Sequence, residues 1–174
     1  MTFNFKNMSP QIRQSIAAEI TSAHQSNNFY MSTRFNQTGT NAAVSLLIQA
    51  AQGHDEHWLA YQIEAQALMK DYEVRSRPLG GYTTAHVPST AAETYAEGQF
   101  NRFYMIGVCL EAIKLGKQVK VYRAKQVASS RGTSNNLIGS VIDPSALIAE
   151  LRVVKSSLGH NLLKPNSGLS IEIV

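Results

Sequence analysis

The amino-acid sequence predicts a single α+β domain, with a long buried central helix and a small sheet formed by the C-terminal half. Three observations predict this class. The chain has 174 residues, enough for one domain with a substantial core, and 44% of them are hydrophobic. Helical periodicity dominates the first two thirds of the chain, and short alternating segments follow it. Neither a repeat nor a linker divides the chain, so residues 1–174 are expected to form one domain.

The sequence pattern of the N-terminal half predicts three helices. Ser9-Pro10 is a typical helix start, and isoleucines four residues apart give a helix of about 10–24 one narrow apolar stripe. The polar segment 24–41 predicts a long loop, and a loop of this length often binds, assembles or hides a short strand. Two apolar helices are expected after it, one ending near Gly53 and one continuing to about residue 72.

The segment between these helices and the central helix is interpreted as mostly irregular. "YEVRS" predicts a brief strand. "RPLGGYTTAHVPS" (77–89) has prolines and glycines at intervals too short for a regular element.

The central helix is predicted from Thr90 to about residue 115. Thr90 and Glu93 have capping-box spacing, and Gly116 is a plausible C-terminal cap. Every residue at positions 103–110 is apolar or glycine, which indicates a helix that is buried on all sides. Cys109, the one cysteine, lies in this run and is expected to be a buried, unreactive thiol.

The C-terminal part predicts two strands and one helix. "QVKVYRAK" alternates as a strand does, and residues 127–136 are expected to form a polar loop. Asp143-Pro144 predicts the start of a helix that ends at Gly159. Leu169, Ile171 and Ile173 indicate one apolar face of a terminal strand.

Three polar residues stand where the central helix enters its most apolar part: Gln99, Asn101 and Arg102. A buried arginine must be paired, and Glu93, Glu97 and the C-terminal carboxylate are the acids considered for it. The favoured interpretation is that the three side chains bond to the main chain of 77–89 and fix that loop to the helix. The alternative is an anion or small-molecule pocket around Arg102.

A basic segment spans residues 114–131, because no acidic residue occurs between Glu111 and Asp143. It predicts either a solvated surface or a phosphate-binding surface. The side chains expected to contact phosphate are those of Lys120, Arg123, Lys125 and Arg131.

Two resemblances to known families bear on function. "KVYRAK" and "NSGLSIE" resemble motifs of mono-ADP-ribosyltransferases. This resemblance implies that Arg123 binds a dinucleotide, that Ser170 supports it and that Glu172 is catalytic. The combination "EGQFNRFY … VYRAK … PNSGLS" resembles uncharacterised bacteriophage and prophage proteins and covers roughly residues 90–174. It implies a virion or phage accessory protein.

The function expected first is therefore a non-enzymatic structural or assembly subunit that contacts other protein subunits, such as those of a bacteriophage virion. Nucleic-acid contact through the basic segment and a nucleotide-ligand enzyme of the ADP-ribosyltransferase type are the alternatives. No motif predicts a metal or a cofactor, and no segment has the ~20 apolar residues of a membrane span. The N-terminus lacks the apolar stretch of a signal peptide, so the expected location is the cytoplasm or a particle assembled there.

Overall fold

The computed structural model describes residues 2–127, 132–153, 160–165 and 167–174. Three helices come first: α1 (Pro10–Gln25), α2 (Gln37–Gly53) and α3 (Glu56–Ala65). Each begins at a polar cap, since the side chains of Ser9, Asn36 and Asp55 accept a hydrogen bond from a main-chain N–H of the first turn. The cap at Asn36 makes α2 start earlier than the sequence predicts. The predicted loop 24–41 is correspondingly shorter.

The long helix α4 (Ala91–Lys114) lies at the centre of the molecule, as predicted. It packs against α1, α3, α6 (Pro144–Val153) and the terminal strand. Its residues 99–109 are all buried, including the polar Gln99, Asn101 and Arg102, which confirms that this part of the helix is enclosed on all sides. The predicted capping box is wrong, because the Thr90 side chain makes no cap hydrogen bond. The turn after the helix does use Gly116, at φ +64°.

A three-stranded antiparallel sheet covers one side of α4, as expected for the C-terminal half. It consists of β3 (Val119–Arg123), β4 (Val141–Ile142) and β5 (Leu169–Ile173), with β3 in the middle. The short helix α5 (Gly132–Asn135) lies within the predicted polar loop. The α+β class is confirmed, and one hydrophobic cluster joins side chains of α1–α4, α6, β3 and β5. The predicted end of the last helix, Gly159, lies outside the described residues.

A β-hairpin connects α3 to α4, and its first strand is the one predicted from "YEVRS". Strands β1 (Tyr72–Ser76) and β2 (Tyr82–His86) pair antiparallel and form a sheet of their own. Their turn is closed by hydrogen bonds from Arg77 N to Gly81 O (3.0 Å) and from Gly80 N to Arg77 O (3.1 Å). The expectation for 77–89 is therefore wrong. The glycines and Pro78 lie in the turn and leave the second strand free of both residue types.

Candidate functional site

Asn101 connects the central helix to the terminal strand. Its Nδ2 donates to Leu169 O at 2.8 Å, and its Oδ1 accepts from Ser170 Oγ at 2.7 Å. All three residues are buried. The amide thus satisfies both a strand carbonyl and a buried hydroxyl, which makes this junction specific as well as closely packed.

Arg102 connects the same helix to α6. Its side chain is among the largest that are fully buried, and its Nε donates to Leu151 O at 2.9 Å in the last described turn of α6. Burial lowers the pKa of the guanidinium. The Nη1 atom has no hydrogen-bond partner among the described residues.

These partners differ from those expected from the sequence. Asn101 and Arg102 contact β5 and α6 rather than the main chain of 77–89. The acids considered for Arg102 are also engaged elsewhere, because Glu93 and Glu97 both contact Lys125 Nζ. A hydrogen bond from Lys125 lowers the pKa of the Glu93 carboxyl. The arginine is held by helix carbonyls, which carry the negative end of the helix dipole.

Gln99 is the third polar residue at this part of α4, and unlike Asn101 and Arg102 it does not connect the helix to another element. It is 1% exposed, and its Oε1 has no hydrogen-bond partner among the described residues. It lines a cleft of about 370 Å³ together with Tyr95, whose hydroxyl is also buried without a partner in the described chain. The two side chains lie four residues apart on one face of α4.

We expect Gln99→Met to leave the free energy of unfolding within about 1 kcal/mol of the wild-type value or to raise it. The substitution keeps the volume and removes a buried oxygen that gains nothing from the fold. Asn101→Leu should instead cost about 2 kcal/mol, since Ser170 Oγ and Leu169 O lose their partner. Urea denaturation of both variants measures the difference. Equal losses would show that Gln99 has a partner in the folded protein.

The side chains predicted to contact phosphate form ion pairs or hydrogen bonds with other residues of the chain. Lys120 pairs with Glu172 at 3.5 Å, and Lys125 pairs with Glu93 at 3.2 Å. Arg123 donates to Ser167 O at 2.8 Å and to the Asn135 side chain at 2.6 Å. Arg131 lies outside the described residues. Each of these three cations thus has a partner within the described chain.

The three residues implied by the ADP-ribosyltransferase resemblance do not converge. Arg123 pairs with Leu169 across the β3–β5 ladder, so it points to the face of the sheet opposite that of Ser170 and Glu172. Ser170 is fully buried and donates to Asn101. Glu172 accepts a hydrogen bond from Lys6 Nζ at 2.8 Å, and this bond lowers the pKa of its carboxyl. A dinucleotide could not contact all three side chains at one surface.

The hairpin presents a surface that the sequence analysis missed. Its outer face consists of Tyr72 (53% exposed), Val74 (71%) and Tyr82 (77%), and Leu79 at the turn is fully exposed. The ladder aligns Val74 with Thr84 and Ser76 with Tyr82, which places these apolar side chains on one side. Two runs rich in β-branched and aromatic residues around a Gly-Gly turn were the available signal.

The inner face of the hairpin holds it to the body of the protein. Glu73 Oε2 accepts from Arg34 Nε at 2.6 Å, and Glu73 Oε1 accepts from Arg75 Nε at 2.7 Å. The hydrogen bond from Arg34 lowers the pKa of the Glu73 carboxyl, so the pair is ionised at neutral pH. The outer face is thereby kept pointing away from the core.

Cys109 is buried, and desolvation raises the pKa of its thiol to about 12. It is therefore not a thiolate nucleophile at neutral pH. Within the described residues, no three His, Cys, Asp or Glu side chains are grouped to hold a metal ion. None of the described helices combines the length and the apolarity needed to cross a membrane.

Comparison with models of protein families, with curated proteins and with solved structures finds no match. The geometry of this chain is therefore the basis on which a function can be proposed.

Proposed function

We propose that the protein is a non-enzymatic assembly subunit that associates with copies of itself through the β1–β2 hairpin. The observation that carries this proposal is the exposed outer face of the hairpin, formed by Tyr72, Val74 and Tyr82. A two-stranded hairpin is only marginally stable in water by itself, and pairing with a further strand places its exposed apolar side chains beside those of the added strand. The resemblance to bacteriophage and prophage proteins makes a virion the assembly we propose.

The edge of β1 favours another strand as the occupant. Main-chain hydrogen bonds from Val87 N to Asp71 O (2.9 Å) and from Arg77 N to Gly81 O (3.0 Å) bracket the β1–β2 ladder. The alternation of an antiparallel ladder then directs the main-chain N–H and C=O groups of Tyr72, Val74 and Ser76 to the outer edge. Lys70 N donates to Arg34 O at the base of this edge. Beyond that base, within the described chain, the outward groups have no main-chain partner.

The charges on β1 select a second copy of the same strand. A two-fold axis through Val74 would place Val74 opposite its own counterpart and Tyr72 opposite Ser76 of the second copy. Outward-pointing groups then meet outward-pointing groups, as an antiparallel ladder requires. In this register Glu73 of each copy lies opposite Arg75 of the other.

Neighbouring registers are disfavoured by the same charges. An axis through Glu73 would oppose two glutamates, and an axis through Arg75 would oppose two arginines. Like charges directly opposite each other destabilise a strand pair, whereas opposite charges contribute roughly 0.2–1 kcal/mol. Of these three registers, only the one centred on Val74 places opposite charges across the axis without any like-charge pair, which fits a symmetric dimer contact.

The test is a charge swap. Glu73→Arg and Arg75→Glu should each weaken self-association by roughly tenfold or more, because each change sets like charges opposite each other twice across the axis. Glu73→Arg also removes the ion pair with Arg34 within each copy, so recovery in the mixture of the two variants is the decisive result. Mixing the two variants should restore association, since every pair across the axis is again of opposite charge. Sedimentation equilibrium over a range of concentrations measures both effects. Glu111→Arg, which changes an acid that pairs with Lys114 far from the hairpin, is the matched control.

Two results would refute the proposal. One is a wild-type protein that stays monomeric at the highest concentration reached. The other is a mixture of the two variants that associates no better than either variant alone, because the hairpin would then act through a different register or partner.

A further inference from the structure

We propose that a pocket between α3 and α4 binds a small organic cation that carries a primary ammonium group. The pocket has a volume of about 280 Å³, and its wall includes Glu56, Glu64, Glu93 and Glu97. This site shares no residue with the hairpin, so the proposal is independent of self-association.

The key residue is Glu56, in the first turn of α3. It is only 3% exposed, and its Oε1 accepts from Phe3 N at 2.7 Å. Its Oε2 is buried and has no hydrogen-bond partner among the described residues. Burial raises the pKa of this carboxyl. A carboxylate in such a position calls for a donor, and a buried, perturbed carboxyl in a pocket is a typical feature of a binding site.

The remaining charges make a cation the fitting donor. Lys125 Nζ contacts Glu93 at 3.2 Å and also contacts Glu97, so one lysine is shared by two of the acids. Glu56 and Glu64 have no cationic partner in the described part of the chain. A positive ligand would therefore both complete the hydrogen bonding of Glu56 Oε2 and reduce the repulsion among the four carboxyl groups.

The size and the rim of the pocket narrow the ligand further. A volume of about 280 Å³ lies just below the usual range of small-molecule sites, which suits a short alkyl chain better than a large ring system. Tyr61 lines the pocket and is 61% exposed, so its ring is available for a cation–π contact at the entrance. A short diamine matches the inner end and the entrance of the pocket. One ammonium reaches Glu56, and the second lies near Tyr61 and Glu64.

The experiment uses 1,4-diaminobutane as the probe, with isothermal titration calorimetry at constant ionic strength. We expect saturable binding to the wild-type protein, weaker by about tenfold or more in Glu56→Gln, because a charge-assisted hydrogen bond becomes a neutral one. Gln retains an oxygen for Phe3 N, and circular dichroism checks that the variant folds. Glu111→Gln removes the same charge outside the pocket and should bind as the wild type does.

A second variant keeps the proposal testable if Glu56→Gln fails to fold. Tyr61→Leu alters an exposed side chain and should weaken binding severalfold through loss of the cation–π contact. No heat of binding to the wild type at millimolar diamine would overturn the proposal. Equal affinity for the wild type and Glu56→Gln would also overturn it, as would a Tyr61→Leu affinity equal to the wild type's.

Discussion

Replacing Arg102 with alanine should lower the free energy of unfolding by about 2–4 kcal/mol. The side chain is 1% exposed, and its Nε–H is the donor for Leu151 O at 2.9 Å. Alanine leaves that carbonyl without this donor and opens a cavity between α4 and α6. The removal of a buried charge offsets part of this loss, but the long side chain also fills space in the core. The midpoint and slope of urea denaturation measure the change.

Two comparisons define what the arginine contributes. Arg102→Lys should recover only part of the loss, because a single ammonium cannot reproduce the planar set of donors. Arg152→Ala is the matched control: this arginine is half exposed, pairs with Glu19 at 2.8 Å and should cost at most about 1 kcal/mol. A loss below about 0.5 kcal/mol for Arg102→Ala would mean that Arg102 does not stabilise the junction. Its role would then be to bind an anion.

Replacing Gly168 with alanine should cost about 3 kcal/mol or more. Gly168 has a φ of +62°, and a Cβ atom there would lie 2.2 Å from Lys125 O. The contact is with main chain that cannot turn aside, since Ala124 N and Lys125 N both donate to Gly168 O at 2.8 and 3.0 Å. The substitution would therefore push the start of β5 away from the end of β3. Thermal unfolding followed by circular dichroism gives the loss.

Gly116→Ala separates the cost of a positive φ from the cost of the close main-chain contact. Gly116 has nearly the same φ, +64°, but nothing lies within 4 Å of a Cβ placed there. Alanine at this position should lower the free energy of unfolding by only about 1 kcal/mol, which is the cost of holding a residue with a Cβ atom at positive φ. If the two variants lost the same stability, the close approach at Gly168 would not be the reason for its glycine.

Local patterns were sufficient for most of the fold. Ser9 before Pro10 and Asp143 before Pro144 determine where two helices begin, because a side-chain oxygen and a missing N–H act within one turn. The unbroken apolar run in α4 identifies the central helix, and the alternation in β5 identifies the terminal strand. These signals depend only on neighbours along the chain.

The hairpin was missed although its signal is also local. Pro78, Gly80-Gly81 and Pro88 predict a break throughout 77–89. In the structure the first three lie in the turn between two strands of five residues, and Pro88 follows the second strand. The turn needs such residues because Gly80 and Gly81 adopt positive φ. Both strands bury little against the body, so their apolar alternation is weak: it predicts β1 from "YEVRS" but does not predict β2.

The sequence by itself determined that Asn101 and Arg102 need partners, because they lie on a helix that is buried on all sides. Only the tertiary structure decided which partners they have. Arg102 bonds to a residue 49 positions away, and Asn101 to residues 68 and 69 positions away. Any carbonyl of the chain could satisfy such a donor equally well, so its identity follows from how the helices and strands pack and not from the residues themselves. Gln99, two residues before Asn101 and three before Arg102, lines a cleft instead, and nothing local distinguishes it from these two neighbours.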